Sequence, residues 1–237
     1  MTIPSDERAR TVLLAGASRG LGAAMAAEFV KRGWRVVGTV RGDARTPLHD
    51  LADRHPGKVT IEQLDITEPD QIAALRRRLS AGGFDMLFVN AGTANKDRAE
   101  TIAEVSTDEF MRLMLTNVLG VMRTVEGLQG LVRADGLIGV MSSGQGSIGA
   151  NTTGGGEIYR ATKAALNQCM RSYAARHADD PRAMVLMAPG WIRTELGGPN
   201  APFSIEETIP RVVDVLVARR GEPGLAYLDR YAKTVPW

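Results

Sequence analysis

The sequence predicts a single α/β domain, with a doubly wound parallel sheet of about seven strands and helices on both faces. Short aliphatic runs alternate with segments of helix length, which is the order typical of a parallel sheet. Most of these runs are continuously apolar, as expected of strands that are covered on both faces. No linker rich in Pro, Gly or Ser and no repeat divides residues 1–237, so we expect one domain.

Seven short segments rich in Val, Leu, Ile or Met are predicted as strands. They are TVLLA from Thr11, RVVGTV from Arg35, KVTIEQ from Lys58, MLFVN from Met86, GLIGVM from Gly136, AMVLMA from Ala183 and a last strand near residues 225–228. The predicted helices cover residues 21–32, 71–79, 110–132, 159–178 and about 205–219. Thr67 before Pro69 predicts one helix cap, and Ser106 with Glu109 predicts a capping box at another.

Composition excludes several classes of protein. Hydrophobic residues make up 44% and charged residues 24% of the 237 residues, which is typical of a globular chain. The net charge of +2 is spread along the sequence, so we expect no nucleic-acid partner. The stretch MTIPSDERAR lacks the apolar region of a signal peptide, and no run approaches the eighteen apolar residues of a membrane span. We therefore expect a soluble, cytoplasmic protein.

Cysteine and histidine usage gives no sign of a metal site. Cys169 is the only cysteine, which excludes an intrachain disulfide and a cysteine metal cluster and suits a reducing compartment. We expect it to pack as a small hydrophobic residue. His49, His55 and His177 are scattered over polar stretches, and we expect them to be surface residues.

Three glycines lie between the first predicted strand and the first predicted helix. Gly16, Gly20 and Gly22 have the spacing G-x-x-x-G-x-G. Glycine accepts positive φ and lets backbone amides approach a pyrophosphate, and a helix N-terminus adds free N–H groups. A tight turn needs glycine with or without a ligand, but the preceding strand and following helix favour nucleotide binding.

The end of the second strand selects the cofactor. An acidic residue there would bind the ribose hydroxyls of NAD, but the sequence runs Thr39-Val40-Arg41, with no acid before Asp43. Arg41, helped by Arg19, would suit a 2′-phosphate. NADP(H) is therefore favoured over NAD(H), the alternative being that both arginines are solvated surface residues.

Tyr159 and Lys163 lie four residues apart, so on a helix they share one face. Lowering a tyrosine pKa from about 10 by three units requires about 4 kcal/mol. Two cations, each about 5 Å away at an effective dielectric near 20, would each supply roughly 3 kcal/mol. Lys163 and an oxidised nicotinamide would suffice together. Most Tyr-x-x-x-Lys pairs lie on exposed amphipathic helices. Other residues of the sequence must therefore show whether this pair is catalytic.

Further polar residues supply that context. Ser142 and Ser143 end the fifth predicted strand, at the sheet edge where open α/β folds bind ligands. Either hydroxyl could bind a substrate carbonyl. Asn117 lies inside a predicted helix, where a buried amide is more often structural. Here it could do both, holding the structure and ordering a proton-carrying water beside Lys163.

In this order, the motifs resemble those of the short-chain dehydrogenase/reductase family over nearly the entire chain. Residues 16–22 match its cofactor motif, although Ala15 replaces a common threonine, and Val89 replaces the first residue of its Asn-Asn-Ala-Gly segment. Asp65 matches the acidic residue that the family places against adenine. The resemblance makes Asn117, Ser143, Tyr159 and Lys163 the catalytic tetrad. Ser143 is chosen because x-x-Gly follows it, and Ser142 is the fallback.

The resemblance also implies a cofactor-binding set. In PGWIRTELGG, Ile192 would approach the nicotinamide carboxamide and Thr194 the pyrophosphate. The complete set is Gly16, Ser18, Arg19, Gly20, Leu21, Gly22, Arg41, Asp65, Ile66, Asn90, Ala91, Gly92, Tyr159, Lys163, Pro189, Gly190, Ile192 and Thr194. Stretches such as PGWIRTELGG and the final VPW are similar to the C-factor and Sniffer group of carbonyl reductases.

The resemblance implies an oxidoreductase on a Rossmann fold that transfers hydride between NADP(H) and a carbonyl or secondary alcohol. Tyr159 would act as general acid or base, Ser143 would orient the carbonyl, Lys163 would hold the ribose and Asn117 a water relay. Residues 93–105, 144–157 and 197–207 would line the substrate pocket, and a homodimer or homotetramer is expected. The alternative is a nucleotide-binding regulatory or signalling protein on the same fold, with little or no turnover.

Overall fold

Seven parallel strands form one sheet in the computed structural model, which describes residues 8–237. Along the sheet the order is β3-β2-β1-β4-β5-β6-β7. The strands are β1 (Thr11–Ala15), β2 (Arg35–Val40), β3 (Val59–Gln63), β4 (Phe84–Val89), β5 (Val132–Met141), β6 (Ala183–Ala188) and β7 (Gly224–Asp229). The predicted doubly wound parallel sheet is confirmed. Most of the N-terminal stretch that argued against a signal peptide, residues 1–7, lies outside the described residues.

Helices connect the strands and cover both faces of the sheet. They are α1 (Gly20–Lys31), α2 (Pro47–Arg54), α3 (Pro69–Arg78), α4 (Thr107–Met114), α5 (Val121–Leu128), α6 (Glu157–Arg176) and α7 (Ile205–Arg219). Helix α2, which begins at a proline after the Thr46 cap, was not predicted. None of the helices described over residues 8–237 is long and apolar enough to span a bilayer.

The predicted single helix over residues 110–132 is wrong. Helix α4 passes into a π-helical segment, Leu115–Gly120, and then into α5. Gly120 packs so closely that a Cβ there would lie 2.8 Å from the carbonyl oxygen of Ile66. Val132 belongs to β5, where it pairs with Phe84. Strand pairing with a buried β-branched side chain outweighs the local preference for helix at this end.

The structure corrects both predicted helix caps in part. Glu68, not Thr67, occupies the N-cap position of α3, and the Thr67 hydroxyl instead donates a 2.7 Å hydrogen bond to Asp65. Ser106 does cap α4, because its hydroxyl accepts from the Glu109 amide at 3.2 Å. The Glu109 carboxylate pairs with Arg112 instead of completing the capping box.

Two apolar layers, one on each face of the sheet, hold the fold together. One layer includes Met25, Phe29 and Val212 from α1 and α7. The other includes Leu128 and Tyr173 from α5 and α6. All six residues of β4 are buried, which suits its mostly apolar sequence. Its one acidic residue, Asp85, pairs with Arg8 and Arg220. Full burial of each such aliphatic or Phe side chain contributes roughly 1.5–3 kcal/mol, so the layers fix the strand ends that carry the site.

Candidate active site

The strand order reverses between β1 and β4, and such a reversal leaves a crevice outside the carboxyl ends of the two strands. In open α/β sheets ligands bind at such a switch point. Ala15 of β1 pairs with Val89 of β4, so the glycine turn after β1 faces the Asn90-Ala91-Gly92 segment after β4. The structure therefore brings the predicted cofactor segments to one edge of the sheet.

Two glycines of the turn are required by close packing. Gly16 has φ of +85°, and a Cβ there would lie 2.7 Å from the backbone nitrogen of Ala91. A Cβ at Gly22 would lie 2.0 Å from the Gly16 carbonyl oxygen. The Asn90 amide donates a 2.8 Å hydrogen bond to that same oxygen. Asn90, predicted as a cofactor residue, thus holds the turn itself through its side chain.

The first turn of α1 presents backbone donors toward this crevice. Its N-cap, Arg19, makes no side-chain cap bond, and the first turn of the helix carries no acidic residue. Leu21 and Gly22 thus place N–H groups at a positive helix end, which fits a dinucleotide pyrophosphate. Thr39 anchors the turn from β2, because its buried hydroxyl accepts from the Gly16 amide at 2.9 Å. This residue was missed, although it is a polar residue within the apolar run RVVGTV.

The two arginines predicted for the 2′-phosphate differ in their surroundings. Arg41 follows β2, and its side chain is exposed. Arg19 forms an ion pair of 2.7 Å with Glu195, which lies in the segment after β6. Both side chains of that pair are largely exposed, so the pair contributes little stability. Arg41 forms no ion pair within 4.0 Å among residues 8–237.

Asp65 and Ile66 lie beyond the end of β3, at the outer part of the same edge. Oδ1 of Asp65 accepts hydrogen bonds from the amide and the hydroxyl of Thr67, at 2.9 and 2.7 Å. Ile66 is buried, with 4% of its surface exposed. These contacts fix the orientation of the Asp65 carboxylate without using Oδ2 in either bond.

Tyr159 and Lys163 lie on the buried face of α6. Only 9% of the Tyr159 surface and 3% of the Lys163 surface is exposed to solvent. The pair therefore does not lie on the exposed face of an amphipathic helix. Lys163 Nζ donates a 2.8 Å hydrogen bond to the Met141 carbonyl at the end of β5. It lies 5.8 Å from the centroid of the Tyr159 ring. A Cβ on Gly92 would lie 3.6 Å from the same ammonium, which places it beside the crevice.

Burial dominates the protonation of this pair. It raises the pKa of Tyr159 above its ordinary value, while the charge of Arg98 and a hydrogen bond from Ser143 lower it. Burial lowers the pKa of Lys163 to about 8. Lys163 was predicted as one of two cations that lower this pKa, but the charge that lowers it in the structure is that of Arg98. Arg98 was missed because no local sequence pattern marks it.

Lys163→Met should remove a pH dependence of stability. The folded pKa of about 8 lies below an unfolded value of about 10.4, so the folded state releases its proton first. The unfolding free energy of the wild type, relative to the variant, should therefore rise by about 2 kcal/mol between pH 7 and 9.5. Urea unfolding of both proteins at the two pH values measures this. A difference that stays constant with pH would contradict the lowered pKa.

The surroundings of the two serines differ. Ser142 is buried, and its hydroxyl donates a 2.6 Å hydrogen bond to Oδ1 of Asn167. Ser143 is partly exposed, and its Oγ accepts from the Gln145 amide at 3.1 Å. The Tyr227 hydroxyl donates to the Ser143 carbonyl and fixes its backbone. Ser143 is thus the serine whose hydroxyl is available beside Tyr159, and Asn167 and Tyr227 are supporting residues that the sequence did not indicate.

Asn117 lies in the π-helical segment and is fully buried. Oδ1 accepts from the Thr93 amide at 2.8 Å, and Nδ2 donates to the Thr93 carbonyl at 2.9 Å. Nδ2 also donates to the Thr162 hydroxyl at 3.1 Å, which ties the residue to α6. Asn117 therefore links the loop after β4 to the helix of Tyr159 and Lys163, which is the structural role left open by the sequence.

The segment after β6, residues 189–204, contains the last predicted cofactor residues. Gly190 has φ of +100° and packs against Arg230, which donates a 2.9 Å hydrogen bond to the Pro189 carbonyl. Ile192 is 3% exposed, and the Thr194 hydroxyl accepts from the Gly197 amide at 2.9 Å. Within residues 8–237, no cluster of three His, Cys, Asp or Glu side chains could hold a metal ion.

A family model described as enoyl-(acyl carrier protein) reductase matches residues 16–212, which is most of the chain. The chain belongs to the short-chain dehydrogenase/reductase family. The predicted family is thereby confirmed, and the match covers the glycine turn, the tetrad residues and the segment after β6. The protein is an oxidoreductase of this family.

Individual relatives agree. A crystal structure of a protein described as a short-chain dehydrogenase/reductase, from Burkholderia multivorans with bound NADP, has 65% identity and a TM-score of 0.95, covering 97% of this chain and all of that one. The carbonyl reductase Sniffer of D. melanogaster has 25% identity and a TM-score of 0.87, covering 97% and 100%. C-signal of Myxococcus xanthus is 30% identical over 166 residues, 69% of this chain and 99% of C-signal.

Proposed function

We propose that this short-chain dehydrogenase/reductase is an NADP(H)-dependent enzyme that interconverts a carbonyl compound and a secondary alcohol, with Tyr159 as general acid or base. The observation that carries the proposal is the buried Tyr159–Lys163 pair beside Ser143, at the edge where the glycine turn presents its donors. The NADP bound to the Burkholderia multivorans relative supports the cofactor.

The side chains divide the work according to their chemistry. The cofactor, when bound, supplies or accepts hydride. In reduction Tyr159 donates a proton to the carbonyl oxygen, and its high pKa keeps it protonated at neutral pH. Ser143 donates a hydrogen bond to the same oxygen and orients it. Lys163, charged at pH 7, binds the ribose hydroxyls. Asn117 holds α6 and the loop after β4 in fixed positions relative to each other.

A substrate panel tests the proposal. Consumption of NADPH and of NADH, each over a set of aldehydes and ketones, should show turnover with NADPH for at least one carbonyl compound. The competing function is a nucleotide-binding regulatory protein, which needs the glycine turn but has no use for Ser143, Tyr159 and Lys163 together. NADPH binding without consumption over the whole panel would favour that function instead.

Arg41→Ala should weaken the binding of NADPH but not that of NADH. A charge-assisted hydrogen bond contributes about 1.5–3 kcal/mol, so the KM for NADPH should rise roughly 10- to 100-fold. The KM for NADH should change by less than about threefold, because NADH has no 2′-phosphate and so makes no such contact with Arg41. Arg45→Ala is the matched control, since Arg45 lies close by but is held by Asp50 and Asp53. Equal losses with both cofactors would reject the role of Arg41.

We also propose a homodimer or homotetramer in a reducing, cytoplasmic setting. Large apolar side chains are exposed on α4 and the π-helical segment, among them Met111 at 60% and Leu119 at 44%. A second copy would cover this surface, and multi-angle light scattering would give the mass. Cys169 is partly buried, and burial raises the pKa of its thiol, which suits a packed side chain.

A further inference from the structure

Arg98 lies over the ring of Tyr159. It belongs to the loop after β4, and its guanidinium carbon is 4.8 Å from the ring centroid, closer than the 5.8 Å of Lys163 Nζ. Its Nη2 donates a 3.1 Å hydrogen bond to the Leu196 carbonyl, and its own carbonyl accepts from Gly156 at 3.0 Å. Arg98 is thus held between the segment that precedes α6 and the segment that follows β6.

The guanidinium charge is not used elsewhere among the described residues. Arg98 takes no part in the ion pairs within 4.0 Å formed over residues 8–237. The two carboxylates nearest in sequence have other partners, since Asp97 accepts from the Ala99 amide and Glu100 from the Asn95 side-chain amide. Glu157, at the start of α6, accepts from the Ile102 amide. The charge therefore acts on what lies beneath it, which is the aromatic ring.

The groups facing Tyr159 from the other elements do not replace this charge. On α6, Lys163 directs its ammonium to the Met141 carbonyl. After β5, the Ser143 side chain is a neutral hydroxyl. Tyr227 on β7 raises the pKa of Tyr159, because two phenolates close together repel each other. A cation over an aromatic face is attracted to the ring, and more strongly when the ring carries the negative charge of a phenolate.

We propose that Arg98 is a positioning residue that acts through Tyr159, as a second protein cation that favours the phenolate and so assists proton transfer. The inference rests on the proposed function of Tyr159. The hydrogen bond from Arg98 to the Leu196 carbonyl holds the cation over the ring. Proton transfer benefits because a phenol that releases its proton more readily is a better acid in reduction.

The test compares Arg98→Gln, which removes the charge, with Arg98→Lys, which keeps it. With NADPH and an uncharged aldehyde or ketone that the wild type reduces, kcat/KM is measured against pH. Reduction requires protonated Tyr159, so the fall of kcat/KM at high pH should move upward by about one pH unit in Arg98→Gln. In Arg98→Lys it should stay within about 0.3 units, because a cation remains over the ring.

A second readout does not depend on turnover. Phenolate absorbance is titrated with NADP⁺ bound, and the same titration in a Tyr159→Phe background is subtracted, which leaves the signal of Tyr159. The signal should likewise appear about one pH unit higher in Arg98→Gln than in the wild type. If Tyr159 proves not to be the acid, turnover survives Tyr159→Phe, yet this titration still reports whether Arg98 acts on the phenol.

Two outcomes would overturn the proposal. One is an unchanged phenolate titration in Arg98→Gln, even if the KM for acidic substrates rises, which would make Arg98 a substrate contact only. The other is an equal shift in Arg98→Lys and Arg98→Gln, which would mean that loop geometry and not charge is responsible. A melting temperature measured for each variant shows that the compared proteins are folded.

Discussion

Tyr159→Phe is expected to lower kcat for carbonyl reduction about 1,000-fold, since a positioned general acid contributes roughly 10²–10⁴ in rate. The Kd for NADPH should change by less than about threefold, because the proposed cofactor contacts lie in the glycine turn and the segment after β6 and do not need the phenol hydroxyl. NADPH oxidation with the best substrate of the panel gives kcat, and NADPH fluorescence titration gives Kd. Turnover at the wild-type rate would remove Tyr159 from the chemistry.

Tyr173→Phe is the matched control for this experiment. Tyr173 lies on the same helix, α6, and is fully buried, but its hydroxyl has no hydrogen-bond partner among the described residues. Loss of that hydroxyl should leave kcat unchanged and should not lower the free energy of unfolding. A rate loss in Tyr173→Phe comparable to that of Tyr159→Phe would mean that any Tyr→Phe change on α6 disturbs the site.

Gly22→Ala is expected to damage both the fold and cofactor binding. The new Cβ would lie 2.0 Å from the Gly16 carbonyl and 2.7 Å from Nδ2 of Asn90, which together hold the turn. The turn must shift, so the free energy of unfolding should fall by roughly 2–3 kcal/mol. The Kd for NADPH should rise at least about 10-fold, because misplaced backbone amides lose their hydrogen bonds to the pyrophosphate.

Gly42→Ala serves as the comparison for the glycine turn. Gly42 has no atom within 4 Å of an added Cβ and does not have a left-handed backbone. This variant should keep the stability and the NADPH affinity of the wild type. Urea unfolding and fluorescence titration of both variants measure the two effects. Wild-type stability and NADPH affinity in Gly22→Ala would show that the turn accommodates the added Cβ. They would also show that the turn does not define the cofactor site.

Elements fixed by local pattern could be predicted from the sequence. All seven strands were predicted, and the predicted helix at about residues 205–219 matches α7, Ile205–Arg219. Tyr159 and Lys163 could be paired because four residues make about one helical turn, whatever the rest of the chain does. The π-helical segment around Asn117 could not be predicted, because no local pattern in LTNVLG marks it.

The site also depends on contacts between residues distant in the chain. Asn167 binds the Ser142 hydroxyl across 25 positions, which leaves Ser143 as the serine whose hydroxyl has no such partner. The side-chain amide of Asn117 holds Thr93 across 24 positions and so links the π-helical segment to the loop after β4. Neither partner has a sequence pattern of its own, because the sheet and helices must form before these side chains meet.

Residue types at short spacing were enough to predict the doubly wound fold, the glycine turn and the order of the candidate catalytic residues. The electrostatics of Tyr159 depend instead on how distant parts of the chain pack together. Its burial raises the phenol pKa, and the opposing charge comes from Arg98, which is 61 positions away in the chain. A pKa depends on the distances to all surrounding charges and on the loss of water, and both are set by packing.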